Sequence, residues 1–168
     1  GGVDILVNNI GGGGRWGNDD IIDTDEFVWK EVYDKNLTST MKYTKMFLPY
    51  MMKNNWGRIV TITSTYGKEV GGKPWFNIAK TSQTTLMKNL AVNSKYASKG
   101  ITFNSVAPGA IMIPDTGWED MKRNDRLEFD RFQSNLPRGR LGTPEEVSNL
   151  VTFLCSDNAS LVNGASIL

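Results

Sequence analysis

Histidine is absent from the 168 residues, which removes imidazole bases and His-ligated metal sites from consideration. Cysteine is nearly absent: Cys155 stands alone at the end of an apolar run, Leu150-Val151-Thr152-Phe153-Leu154-Cys155. A lone cysteine closes no internal disulfide, and this one reads as a small buried side chain in a reducing compartment. No apolar run approaches the ~20 residues of a membrane span, and no signal-peptide pattern occurs. The expected setting is therefore soluble and cytoplasmic, with no membrane partner. Excess charge is missing as well. Nineteen Lys and Arg stand against eighteen Asp and Glu, a net charge of +1, which leaves no electrostatic footprint for nucleic acid.

What is present is about one domain's length of chain, enough to bury a core. Strand signals without apolar/polar alternation take turns with helix signals. Residues 4–9 form a short apolar strand that enters a glycine-rich loop, 11–17. A helix capped by Thr24 or Asp23 is expected over 25–54, its apolar residues at helical spacing, ending at Trp56-Gly57. A second strand covers 58–63, a second long helix 75–98, closed by Lys99-Gly100, and a third strand 101–107, ended by Pro108-Gly109. An irregular stretch follows to about Leu141. Thr143-Pro144-Glu145-Glu146 then supplies an N-cap, a proline at the first helical position and a glutamate at the third, opening a helix to about Ser156. The alternation implies an α/β fold, a Rossmann-like doubly wound parallel sheet covered by helices, in one partial domain over 1–168. The chain enters a strand almost at once and stops within another, so both ends read as cut.

The chemistry concentrates around Lys73-Pro74-Trp75-Phe76-Asn77-Ile78-Ala79-Lys80 and the upstream Ser64. Ser64 ends the second strand, which brings its hydroxyl to the strand's carboxyl edge. Phe76 and Lys80, four apart in a helix, leave on one face. A hydroxyl beside an ammonium can polarise a carbonyl, but no acidic proton donor lies between them, and Phe76 sits where that donor would be. The glycine loop offers a weaker signal. Gly12, Gly14 and Gly17 fit G-x-G-x-x-G, but consecutive glycines satisfy many templates. In a true dinucleotide fingerprint the third glycine lies in the first helical turn. Here Asp19, Asp20 and Asp23 follow before any helix and would repel phosphate. The loop reads instead as a flexible edge of a cleft.

Assembled in order, these segments resemble the short-chain dehydrogenase/reductase family over nearly the whole chain. Asn8-Asn9-Ile10-Gly11 is similar to that family's Asn-Asn-Ala-Gly, Asn36 to its helix asparagine, and Thr63-Ser64-Thr65-Tyr66-Gly67 to its Ser-Ser-x-x-Gly. Phe76-Asn77-Ile78-Ala79-Lys80 is similar to its Tyr-x-x-x-Lys with the tyrosine replaced, and Pro108-Gly109-Ala110-Ile111 to its Pro-Gly turn.

The resemblance implies hydride transfer between NAD or NADP and a small carbonyl or alcohol substrate. Ser64 would bond the substrate oxygen, Lys80 would bind the nicotinamide ribose, and Asn36 would hold a water in the proton relay. Asn9, Gly11, Pro108, Gly109 and Ile111 would border the cofactor. The family's phosphate-binding turn would precede Gly1, which would leave Ile5-Leu6-Val7 as an unpaired apolar edge. The two long helices are where family members pair into homodimers and homotetramers. Trp118 and Met112 are the candidate substrate contacts in the variable region, while the family's carboxamide-holding threonine has no clear match, Ile113 standing in its place and Thr116 later. No other Tyr-x-x-x-Lys occurs, and an alternative donor, Tyr66, stands two residues past Ser64. Phe76 keeps the tyrosine's shape without its proton, so turnover should be weak or absent. Three origins fit it: an inactivating substitution, a natural dead homologue kept as a binding or oligomeric scaffold, or a sequence error.

Overall fold

The computed structural model describes residues 2–18 and 20–168. Gly1, where the sequence opens, and Asp19, one of the carboxylates after the glycine loop, lie outside them. Strand β1 (Ile5–Asn8) is followed by helix α1 (Glu26–Tyr33), a π-helical turn (Asp34–Thr38) and helix α2 (Ser39–Asn54). Strand β2 (Gly57–Ile62), helix α3 (Pro74–Ala91), the short helix α4 (Ser94–Ala97) and strand β3 (Ile101–Val106) come next. Helices α5 (Gly117–Asn124), α6 (Arg126–Ser134) and α7 (Pro144–Cys155) precede strand β4 (Ser166–Ile167).

The four strands are parallel and lie in the order β1-β2-β3-β4. Successive residues point to opposite faces, and the core divides accordingly. Ile59, Ile101 and Phe103 pack with Leu48 and Met51 of α2 and Met87 and Ala91 of α3. Val60 and Val106 pack on the other side with Leu154 of α7 and Ala159. Helices on both faces make the sheet doubly wound, as the uninterrupted apolar strands imply. Among the described residues no helix covers that second face over β1. Ile5 and Val7, in register with Arg58 and Val60, are 44% and 40% exposed. Among the described residues no helix is long and apolar enough to cross a membrane.

Four sequence expectations need correction. The helix over 25–54 is not uniform, because a π turn interrupts it at Asn36. Its cap is neither Asp23 nor Thr24 but Asp25, whose carboxylate accepts the Phe27 N–H at 2.6 Å. Thr24 is instead drawn inward, donating to the Asp20 carbonyl at 2.8 Å. The helix's far end falls at Asn54 as expected, closed by Asn55 in the left-handed region at φ 53°. The helix over 75–98 breaks after Ala91, where Asn93 caps the separate α4. The stretch expected to be irregular contains α5 and α6. Their helical signal is thin because only Phe129 is buried. They form through local ties: an Asp125 cap on the Glu128 N–H at 3.1 Å, an Arg126–Asp130 pair at 2.9 Å, and Trp118 of α5 stacked on Phe132 of α6 at 4.4 Å.

Candidate active site

In an open parallel sheet, ligands bind beyond the carboxyl ends of the strands. That is where β1, β2 and β3 deliver Asn9, Ser64 and Pro108. The second and third exits are tied together. Thr63 N–H bonds Val106 O at 2.7 Å, and Thr65 N–H bonds Pro108 O at 3.1 Å. A cavity of about 680 Å³ opens there, within the size range of small-molecule sites. Asn9, Gly11, Ser64, Phe76, Lys80, Pro108, Gly109 and Ile111 all line it, so of the catalytic and cofactor residues named from the sequence the structure brings all but Asn36 to one cavity.

The Ser64 backbone is extended, and its Oγ accepts the Tyr66 N–H at 3.2 Å. The hydroxyl proton remains to be donated elsewhere. Residues Thr65–Gly67 form a tight 3-10 turn that lies against α3. Gly67 permits the approach: a Cβ there would come within 3.0 Å of the Lys80 carbonyl. The serine-to-glycine spacing thus sets Ser64 beside the helix carrying Phe76 and Lys80.

Lys80 is 5% exposed. Its Nζ donates to Ile62 O at 3.1 Å and lies 5.7 Å from the centre of the Phe76 ring. Burial penalises the ammonium and pulls its pKa down from 10.5 to about 8. Phe76 is packed on its other side by the loop, where a Cβ on Gly14 would be 3.4 Å from the ring. Nothing on that ring can donate a proton. Tyr66 does not replace it: its ring lies against Gly71 and Gly72, and it is not among the cavity residues.

Asn36 sits behind the cavity, wholly buried. Its amide donates to Val32 O at 2.7 Å and to Gly12 O at 2.8 Å, while its Oδ1 accepts Gly12 N–H at 3.3 Å. The side chain takes a carbonyl that an ordinary helix would offer to a backbone N–H, which accompanies the widening of the helix into a π turn; such turns recur at functional sites. Its own carbonyl accepts from Thr40 Oγ1 at 2.8 Å and Gln83 Nε2 at 3.0 Å. The glycine loop is thereby an element pinned by Asn36, with Gly12, Gly13 and Gly17 at φ 127°, 94° and 75°. It opens no helix, and Gly11 and Gly12 edge the cavity.

Past the Pro108-Gly109 turn, Ile111 pairs with Gly142, which leads the chain into α7. The expected capping box is present, Thr143 and Glu146 bonding reciprocally, and places Pro144, Val147 and Ser148 on the cavity wall. Of the two variable-region candidates, Trp118 lines the cavity, as do Ile113 and Thr116, whereas Met112 is not among the lining residues. Sequence reasoning placed the loop holding Gly12 at the edge of a cleft but missed Arg15 within it, and it missed Gln83. Gln83 carried a readable signal, a polar residue three positions past Lys80 on the buried side of the helix. Arg15 carried none.

The residues fit the nicotinamide end of a dinucleotide. Lys80 presents a buried ammonium that spends one of its three donors on Ile62, and Gly11 lets the loop backbone pass close to Asn36 and Lys80, where a Cβ would fall 2.7 Å from Asn36 Oδ1 and 2.9 Å from Lys80 Nζ.

The model of a family described as enoyl-(acyl carrier protein) reductase matches residues 1–168. Dehydrogenase/reductase SDR family member 4 of Sus scrofa is 35% identical over 170 residues, covering 100% of this chain and 58% of that protein. The chain thus spans less than two thirds of that relative's length. A solved oxidoreductase of the short-chain dehydrogenase/reductase family from Burkholderia thailandensis superposes with a TM-score of 0.87 at 30% identity, covering 98% of this chain and 62% of its own. A tyrosine-to-phenylalanine variant of ElxO with NADPH bound gives 0.86 at 27% identity, covering 98% and 64%. Matched from end to end by the family model, and folded like these solved oxidoreductases, the chain belongs to the short-chain dehydrogenase/reductase family.

Proposed function

We propose that this chain forms the nicotinamide and substrate side of an NAD- or NADP-dependent oxidoreductase acting on a small carbonyl or alcohol. The observation that carries the reading is the meeting of Ser64, Lys80 and Phe76 on one cavity wall at the carboxyl edge of the sheet. When bound, the cofactor supplies or accepts the hydride. Ser64 donates its free proton to the substrate oxygen, polarising the carbonyl. Lys80 holds the ribose hydroxyls with its remaining donors. Asn36 acts by fixing the Gly12 loop against the site, and Gly11, Pro108, Gly109 and Ile111 give the nicotinamide a close-fitting border. Phe76 occupies the place of the proton donor and withholds the proton, so cofactor binds while turnover stays low. A tyrosine-to-phenylalanine variant of ElxO, which shares this fold, holds NADPH, which supports the cofactor-binding half of the reading.

Self-association into a homodimer or homotetramer is part of the same reading. Phe27, Met41, Met46 and Ile78 are large apolar residues left exposed on α1, α2 and α3, and a 260 Å³ groove between α2, α3 and α4 is lined by Leu48, Met52, Leu86 and Leu90 among others.

The test is Phe76→Tyr in the intact protein. A general acid typically contributes ~10²–10⁴-fold, so NAD(P)H oxidation with a carbonyl substrate should rise by about that factor. Cofactor binding without any gain in turnover favours the scaffold reading instead.

A further inference from the structure

Among the described residues the cavity is lined by two cations and no carboxylate. Its charged lining residues are Lys80 and Arg15. Lys80 is buried and already engaged with the Ile62 carbonyl. Arg15 is differently placed. Among the described residues it makes no ion pair or hydrogen bond, and its guanidinium carbon lies 5.5 Å over the Trp118 ring. Trp118 is itself backed by Phe132, centroids 4.4 Å apart and planes 27° from parallel. The arginine therefore rests on a two-ring stack. Space for it depends on Gly117, since a Cβ there would fall 1.0 Å from Arg15 Nη1.

A guanidinium held on an aromatic face keeps donors for a planar anion. The acids of the adjoining helix do not compete. Glu119 accepts the Asp115 N–H at 2.7 Å, and Asp120 pairs with Arg123 at 2.7 Å. Both Arg15 and Ser64 face one cavity, large enough at about 680 Å³ for a nicotinamide and a small substrate together.

We propose that Arg15 recognises a carboxylate on the substrate, making the substrate an oxo acid or hydroxy acid whose reacting oxygen reaches Ser64. The proposal rests on the oxidoreductase reading above. Phe76 makes it directly measurable, because a complex of reduced cofactor and ketone should persist without reacting.

The experiment titrates the intact protein, saturated with NADH or NADPH, with pyruvate, acetoacetate and levulinate and with the methyl ester of each, by calorimetry. At least one acid should bind about 10-fold or more tighter than its ester, the scale of a hydrogen bond between charged groups. Arg15→Met should erase that ratio while leaving ester and cofactor affinities unchanged. Gly117→Ala, which keeps the charge but displaces the guanidinium, should shrink it. Acids that bind no better than their esters overturn the proposal. So does Arg15→Met weakening NAD(P)H itself, which would make Arg15 a ligand of the cofactor's phosphates. Failure of the unaltered protein to bind either cofactor is a different result: it sinks the oxidoreductase reading, and this inference with it.

Discussion

Asn36 grips Gly12 from both sides, its amide donating to the glycine carbonyl at 2.8 Å and its Oδ1 accepting the glycine N–H at 3.3 Å. The two residues are 24 positions apart, so this pair fixes the cleft's glycine edge to the π turn behind it. Gln83 and Thr40 brace the turn through the Asn36 carbonyl. The chain from the cavity rim through Gly12 and Asn36 to α3 is therefore one continuous set of hydrogen bonds.

Replacing Asn36 by Ala removes that grip and leaves buried or half-buried backbone groups of Gly12 and Val32 unpaired. A loss of about 2–3 kcal/mol is expected, read from urea midpoints, together with weaker NAD(P)H binding. If both quantities stay at the unaltered values, the grip carries no weight.

Gly11 has a different sensitivity. The methyl group of Gly11→Ala would fall 2.7 Å from Asn36 Oδ1 and 2.9 Å from Lys80 Nζ. Overpacking of this kind costs about 1–3 kcal/mol. The expected signature is a lowered thermal midpoint and at least a severalfold rise in the NAD(P)H dissociation constant, measured by cofactor fluorescence.

Lys80 makes stability depend on alkaline pH. Its pKa is about 8 in the fold against an ordinary 10.5, so between those values the unfolded chain binds more protons than the folded one. Stability contributed at this residue therefore rises with pH from about 8 to 10.5 and is flat below. Relative to Lys80→Met, the unaltered protein should gain up to about 3 kcal/mol between pH 7 and pH 11. Urea unfolding of both proteins at the two pH values measures it. A constant difference would mean that the ammonium is solvated in the fold.

Glu146 acts at the acid end. Its carboxylate accepts from Arg140 at 2.7 and 2.8 Å and from the Thr143 N–H at 2.9 Å, and these bonds, the arginine's first, hold its pKa down at about 2 against an ordinary 4.5. A carboxylate depressed in the fold stabilises above its unfolded pKa and loses that contribution as pH falls toward the folded value. Glu146→Gln should thus melt below the unaltered protein at pH 7, and the two melting curves should converge between pH 4.5 and pH 2. Parallel curves throughout would remove the carboxylate from the account.

The strands, their parallel class and the two main helices were legible because each is encoded locally, in an unbroken apolar run or in helical spacing. The same holds for Ser64 at a strand end and for Phe76 and Lys80 one turn apart. The breaks were harder to read. The π turn at Asn36 depends on a carbonyl captured by a side chain that also holds a distant glycine, and α5 and α6 lack the apolar periodicity by which helices announce themselves.

By itself the sequence determined an alternating α/β sheet, one helical face shared by Phe76 and Lys80, and a phenyl ring at 76 that carries no acidic proton. Tertiary structure decided which side chains meet. It turned Tyr66 toward Gly71 and Gly72, committed Asn36 to Gly12, buried the Lys80 ammonium and laid Arg15 over Trp118. The physical reason is the range of the forces involved. Strand alternation and helical period are set by neighbours a few residues away, whereas desolvation and hydrogen-bond partnership exist only once distant segments have been packed together.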